Sequence, residues 1–291
     1  MSSPTIQWYP GHIAKAERQL QEQLKKVDVV LEVRDARIPL ATEHPQVAIW
    51  ISNKERVLVL NRMDMIPKNL QNQWMAWFQA QGEEPILTNS NQGMGVDAVL
   101  KAAKRVGDRV NAKRGERGML PRPVRAVVIG FPNVGKSALI NRLLNRRVVE
   151  SARRPGVTRQ LRWVRISKEI ELLDAPGVLP SLLKDQESAL KLAICDDIGE
   201  AAYDNQRITS ALIDLLKHLH PQAPDGVNGL RSRYDLDPLL MTGESYLEAL
   251  AQKRYSNDQE RTARQILNDF RKGLLGTIPL ELPPRAETVK P

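Results

Sequence analysis

The chain has 291 residues, 42% of them hydrophobic and 26% charged, the balance of a globular protein with room for about two domains. Gly at 17 and Pro at 19 exclude a collagen-like or wholly disordered chain, and the single cysteine, Cys195, excludes an internal disulfide and a cysteine-rich zinc site. Net charge is +9, no run approaches the ~18 apolar residues of a membrane span, and residues 1–13 lack a signal-peptide core, so a cytoplasmic protein is expected.

In chain order, Pro10-Gly11 opens a helical pattern carried by Ile13, Ala16, Leu20 and Leu24. Val27 to Val33 reads as a buried strand, and Arg56 to Leu60 as a second one ending at Asn61. A helix from about Leu70 to Gln81 follows, with Trp74, Trp77 and Phe78 expected to pack against the sheet. Then come a short strand at Pro85 to Thr88 and a helix from Val96 to Val106. Gly107 to Pro123 is basic and weakly periodic, which predicts a linker. Val124 to Ile129 is a strong strand, Lys136 to Leu144 a helix, and Leu161 to Ile166 with Ile170 to Leu173 a strand pair.

Strands alternating with helices predict an α/β domain with a mainly parallel sheet over residues 1–181. From 182 to 291 helical patterns take over: Lys184 to Ile198, Tyr203 to His220, Glu244 to Tyr255 and Asn257 to Lys272. This predicts an all-helical C-terminal domain, with Cys195 in its core and His218 and His220 near a helix end as surface residues.

Charge is concentrated. Residues 101–168 hold 19 Lys and Arg against three acids, so this quarter of the chain carries +16 and the remainder −7. Such a concentration suits a polyanion, nucleic acid first, although a basic linker that only aids solubility would look the same. Aromatic residues are only 4% of the chain, which argues against base stacking as the main contact.

Gly130-Phe131-Pro132-Asn133-Val134-Gly135-Lys136-Ser137 fits G-x-x-x-x-G-K-[ST] between a predicted strand and a predicted helix. The glycines Gly130 and Gly135 let the backbone wrap phosphates, and the N–H groups of Asn133 to Ala138 can point at them. Lys136 supplies a cation for the β and γ oxygens, Ser137 a hydroxyl for Mg²⁺, and the helix N-terminus a partial positive charge. Asp174-Ala175-Pro176-Gly177 follows an apolar strand. There Asp174 can hold Mg²⁺ through water, and the Gly177 N–H can meet the γ-phosphate. Thr158 lies between the two motifs, where a switch threonine would close on Mg²⁺ and the γ-phosphate.

Guanine recognition needs a carboxylate that accepts from two ring-edge donors. Asn61-Arg62-Met63-Asp64 resembles N-K-x-D, with Asp64 as that acceptor, Asn61 bracing the pocket and Arg62 in place of lysine. Asn89-Ser90, after the short strand, sits where a second base-contacting loop would. In ordinary GTPases the base motif follows the phosphate loop. Here it precedes it by some seventy residues, so the order is circularly permuted.

With these motifs in place, the chain resembles the circularly permuted ribosome-assembly GTPases of the YlqF/RbgA type. Trp8 to Ala16, Asp35-Ala36-Arg37-Ile38-Pro39 and Asn268 to Gly276 look like that family's N-terminal signature, its D-A-R-x-P segment and its helical ending. The resemblance implies binding of GTP and GDP, hydrolysis with Mg²⁺, and a role in late maturation of the large ribosomal subunit with rRNA contact. It implies neither membrane nor DNA as partner. Val178 occupies the place of the water-orienting Gln of Ras-like enzymes and cannot do that work. The resemblance assigns catalysis to His12, which could otherwise simply pack on the first helix. It also makes Asn133 a K⁺ ligand, where the alternative is an Asn selected for its turn geometry. The rival to an active GTPase is a GTP-binding pre-ribosome scaffold with little turnover.

Overall fold

The computed structural model describes residues 20–51, 54–144, 162–174, 185–198 and 203–284, and the statements below concern these. Six strands form one sheet: β1 (Val29–Asp35), β2 (Glu55–Asn61), β3 (Ile86–Thr88), β4 (Val124–Ile129), β5 (Arg162–Arg165) and β6 (Ile170–Asp174). Their order is β3-β2-β1-β4-β6-β5; the first five run parallel, and β5 is antiparallel to β6 at the edge. A parallel sheet is covered on both faces, which is why the central strands read as unbroken apolar runs such as Val-Val-Leu in β1 and Val-Val-Ile in β4.

The chain proceeds outward from β1 through β2 to β3, then returns to place β4 on the other side of β1. The direction of winding therefore reverses between β1 and β4. In open α/β sheets the crevice at such a reversal, beyond the carboxyl ends of the strands, is where ligands bind. That edge carries Asp35, Asn61, Gly130 and Asp174, each at or just after the end of its strand.

One face of the sheet is covered by helical residues α1 (20–24) and by α2 (Val47–Ile51), where Leu20, Leu24, Val47 and Ile51 meet Val30, Val127, Ile129 and Leu173. On the other face, α4 (Val96–Glu116) and α5 (Lys136–Leu143) meet Val29, Leu31, Val33 and Val128. Helix α3 (Lys68–Ala80) seats Trp74 and Phe78 against Leu58 and Leu60 of β2, with Trp77 packed alongside, as the aromatic spacing predicted.

The linker expected from Gly107 begins instead as helix, since α4 continues to Glu116. Gly107 breaks the apolar pattern for a packing reason. A Cβ there would lie 3.0 Å from the Val124 Cβ, so glycine lets α4 lie close on β4.

The described C-terminal region carries the helices α6 (Gln186–Cys195), α7 (Asn205–Leu219), α8 (Asp225–Tyr234), α9 (Gly243–Arg254) and α10 (Gln259–Arg271), followed by an irregular stretch, 272–284. Asp185, Asp204, Thr242 and Asp258 cap four of these by accepting backbone N–H bonds. Helix α7 is central, packed by α6, α8, α9 and α10. Helix α8 was not legible as a pattern. Its Gly226 holds no side chain because a Cβ would meet Leu216 Cδ2 at 2.7 Å. The apolar cluster under α4 and α5 continues without a break into α6, α7, α9 and α10. The expected boundary at 181/182 lies outside the described residues.

Candidate nucleotide site

The loop between β4 and α5 is shaped by two glycines. Gly130 has φ +147° and Gly135 φ +103°, both in the region closed to ordinary side chains. Space is also closed: a Cβ on Gly130 would lie 2.2 Å from the Val33 carbonyl oxygen, and one on Gly135 2.0 Å from Asn61 Nδ2. Lys136 opens α5 and folds back over the loop, its Nζ donating to the carbonyls of Gly130 (3.1 Å) and Phe131 (2.6 Å). Ser137 and Ala138 follow in the first turn of α5, where free backbone N–H groups favour an anion.

Asn61, at the end of β2, ties three segments together. Its Nδ2 donates to the Val134 carbonyl at 2.8 Å. Its Oδ1 accepts from Thr88 Oγ1 (3.0 Å), Ser90 N (3.0 Å) and Ser90 Oγ (2.8 Å). The two loops expected to read a base are thus fixed to the phosphate loop by one buried amide. From α5, Arg142 donates to the carbonyls of Ser90 and Asn91 and holds the same loop from the other side. Asn89 acts within its own loop, where its Oδ1 accepts from Gln92 N and its backbone pairs with Met94.

Asp64 lies exposed in a single 3-10 turn, Met63–Met65, braced by Gln71 Nε2 on the Met63 carbonyl at 2.7 Å. Arg62 enters this turn with φ +63°. Its guanidinium reaches away from Asp64, to the Asn133 carbonyl (2.6 Å) and Asp35 Oδ2 (3.1 Å). Asn133, itself at φ +57°, sends Nδ2 to the Asp196 carbonyl at 2.5 Å.

Behind the loop lies a buried charge cluster that sequence reasoning did not place at the site. Asp35 receives Arg37 through Nε (3.0 Å) and Nη2 (2.7 Å), as well as Arg62. Burial pushes the Asp35 carboxyl up, but the two guanidiniums outweigh it and hold the group below the usual carboxylate range. Arg37 also lies 5.3 Å over the Phe270 ring of α10, and its carbonyl accepts from Leu280 N and Glu281 N. Glu281 in turn accepts from Leu40 N and Ala41 N. The D-A-R-x-P segment is therefore the point where the sheet, the helical region and residues 280–281 meet. The signal available was an Asp and an Arg at the end of a central strand beside the winding reversal.

His12, Thr158 and Gly177 lie outside the described residues, as does the side chain of Asp174, whose backbone pairs with Val128 beside the phosphate loop. The residues brought together are Asn61, Arg62, Ser90, Gly130, Asn133, Val134, Gly135 and Lys136.

A phosphate loop at the reversal point of a parallel sheet, with a base-reading motif placed earlier in the chain, defines a circularly permuted P-loop GTPase. A model of the family described as "50S ribosome-binding GTPase" matches residues 125–224. The chain is 35% identical to ribosome biogenesis GTPase A of Bacillus cereus, over 96% of this chain and 94% of that protein. It is 34% identical to the Bacillus pumilus protein of the same name, over 96% and 99%. The chain belongs to the ribosome biogenesis GTPase A family. The fold matches a GDP-bound structure of YlqF from Thermotoga maritima with a TM-score of 0.66 at 24% identity, covering 91% of this chain and 99% of that one.

Proposed function

We propose that this GTPase acts in late assembly of the large ribosomal subunit, contacting rRNA, and hydrolyses GTP at the site between β1, β2 and β4. The observation that carries the nucleotide reading is the single amide of Asn61, which joins the Asn61–Asp64 turn and the Asn89–Ser90 loop to the Gly130–Ser137 loop. Lys136, Ser137 and the N–H groups from Asn133 to Ala138 bind the phosphates. Asp64 accepts from the guanine ring edge, with Met63 and the Asn89–Ser90 loop beside the base.

GTPases generally use Mg²⁺, and the donor set suits a hard cation: the Ser137 hydroxyl lies in the first turn of α5, and Asp174 ends the strand beside β4, with Thr158 as the closing ligand. When bound, the ion neutralises charge on the β and γ oxygens. Because Nδ2 of Asn133 is held by Asp196, Oδ1 is the atom that side chain offers to K⁺. His12 orients the attacking water in place of Val178.

The partner reading rests on the family and on charge. Helix α4 exposes Lys101, Arg105 and Lys113, the residue after it, Arg117, is exposed too, and Arg125 stacks on Trp163 of the edge strand β5 at 5.7 Å. Among the described residues no helix is long and apolar enough to cross a membrane.

GTP turnover with and without purified large subunits, in KCl and in NaCl, tests the proposal. Unassisted sites of this type run at about 10⁻⁴–10⁻³ s⁻¹. Stimulation by the subunit in KCl, lost in His12→Ala at unchanged GTP affinity, is expected. GTP-dependent binding to the subunit without stimulation would instead make the protein a scaffold.

A further inference from the structure

A buried guanidinium and a buried carboxyl of the same cluster keep polar atoms without partners, and burial together with the neighbouring Asp35 pushes the Asp197 carboxyl well above the usual carboxylate range. Among the described residues, neither oxygen of Asp197 has a hydrogen-bond partner, and neither does Arg37 Nη1. Both side chains are buried. Leaving even one such polar atom unpaired in the interior is costly, so the arrangement calls for an explanation. The two lie close together: ligating atoms of Asp35, Cys195 and Asp197 fall within 4.8 Å of one another, and Arg37 already touches both Asp35 (2.7 Å) and the Cys195 carbonyl (3.5 Å).

A metal ion is the wrong occupant for this trio. Asp35 carries two guanidiniums, so a cation would be placed against two positive charges. What Asp197 lacks is a guanidinium, and Asp35 has one to spare.

The cluster is wired to the phosphate loop at both ends. Arg62, the second guanidinium on Asp35, holds the Asn133 carbonyl, and the Asn133 side chain holds the carbonyl of Asp196, next to Asp197. Any movement of Asn133 therefore pulls on both acceptors of the cluster together. We propose that Asp197 is a positioning residue for the nucleotide site: a second acceptor to which Arg37 transfers from Asp35 when GTP fills the phosphate loop. The transfer leaves Asp35 to Arg62 and draws the C-terminal end of α6 toward the D-A-R-x-P segment. The helical region, tied to that segment through Phe270, Leu280 and Glu281, then moves with nucleotide state. This rests on the nucleotide reading under the proposed function.

The test measures affinities for fluorescent GTP and GDP analogues in the wild type, Asp197→Asn, Arg37→Lys and the double variant, with thermal unfolding of each protein without nucleotide. Asp197→Asn keeps the volume and removes the carboxylate that would receive Arg37. We expect GTP affinity to fall at least fivefold, GDP affinity to stay within twofold, and nucleotide-free unfolding not to move to lower temperature. In the Arg37→Lys background Asp197→Asn should add nothing. A GTP-to-GDP affinity ratio in Asp197→Asn equal to wild type would overturn the inference while leaving the nucleotide reading intact. A wild type that binds neither analogue would overturn that reading itself. Should Arg37→Lys fail to fold, the Asp197→Asn ratio alone decides.

Discussion

Two polar networks meet at the phosphate loop, and they are built on opposite terms. The network around Asn61 is neutral and closed: its amide donates once and accepts three times, and every partner is buried. The network around Asp35 is charged and open: one carboxylate carries two guanidiniums while Asp197 carries none. A closed neutral network has one good arrangement and acts as a scaffold. An open charged one leaves an acceptor to which a guanidinium can move, which is what the transfer proposed above uses.

Breaking the charged network should give the largest effect. Asp35→Ala strands Arg37 and Arg62 beside each other, and removal of one partner from a buried ion pair costs about 3–5 kcal/mol. Urea denaturation checks this at neutral pH, and pH sharpens it. The folded-state pKa of Asp35 lies below the unfolded value of about 3.9. Its stabilisation is therefore present above that pH and is lost as pH falls through the lower, folded value. The Asp35→Asn protein should lose less stability than wild type between neutral pH and that acid range. Parallel curves would contradict the assignment.

Breaking the neutral network should cost less stability and more function. Asn61→Ala leaves the Thr88 and Ser90 donors and the Val134 carbonyl to find other partners, a cost of about 2 kcal/mol. Because the same amide aligns base loop and phosphate loop, GTP affinity should fall tenfold or more. Equal losses in stability but intact affinity would make Asn61 a fold residue only.

Much of the site could be read from the chain because its rules are local. Strand, glycine loop and helix occur in sequence from Val124 to Leu143, and the positive φ of Gly130 and Gly135 is what the motif encodes. The parallel sheet was legible from apolar runs buried on both faces. Other features were not, for reasons of distance. Arg37 and Cys195 are 158 positions apart, and nothing in either segment announces the other. Arg62 stands where the base motif has lysine, yet its long stem lets the guanidinium reach Asp35 and the loop. Gly107 read as the start of a linker because its purpose, close approach to Val124, belongs to the partner surface, as does that of Gly226 against Leu216.

The central claim is that a base-reading turn placed before the phosphate loop serves the same nucleotide, and one substitution tests it directly. In the proposed site Asp64 accepts from guanine N1–H and the exocyclic N2 amine, whereas xanthine offers N1–H beside a carbonyl. An amide side chain matches the second pattern and not the first. Binding of GTP and xanthosine triphosphate is measured for the wild type and Asp64→Asn. The wild type should prefer GTP and the variant xanthosine triphosphate, each by tenfold or more. An Asp64→Asn protein that still prefers GTP to the wild-type extent would contradict the claim.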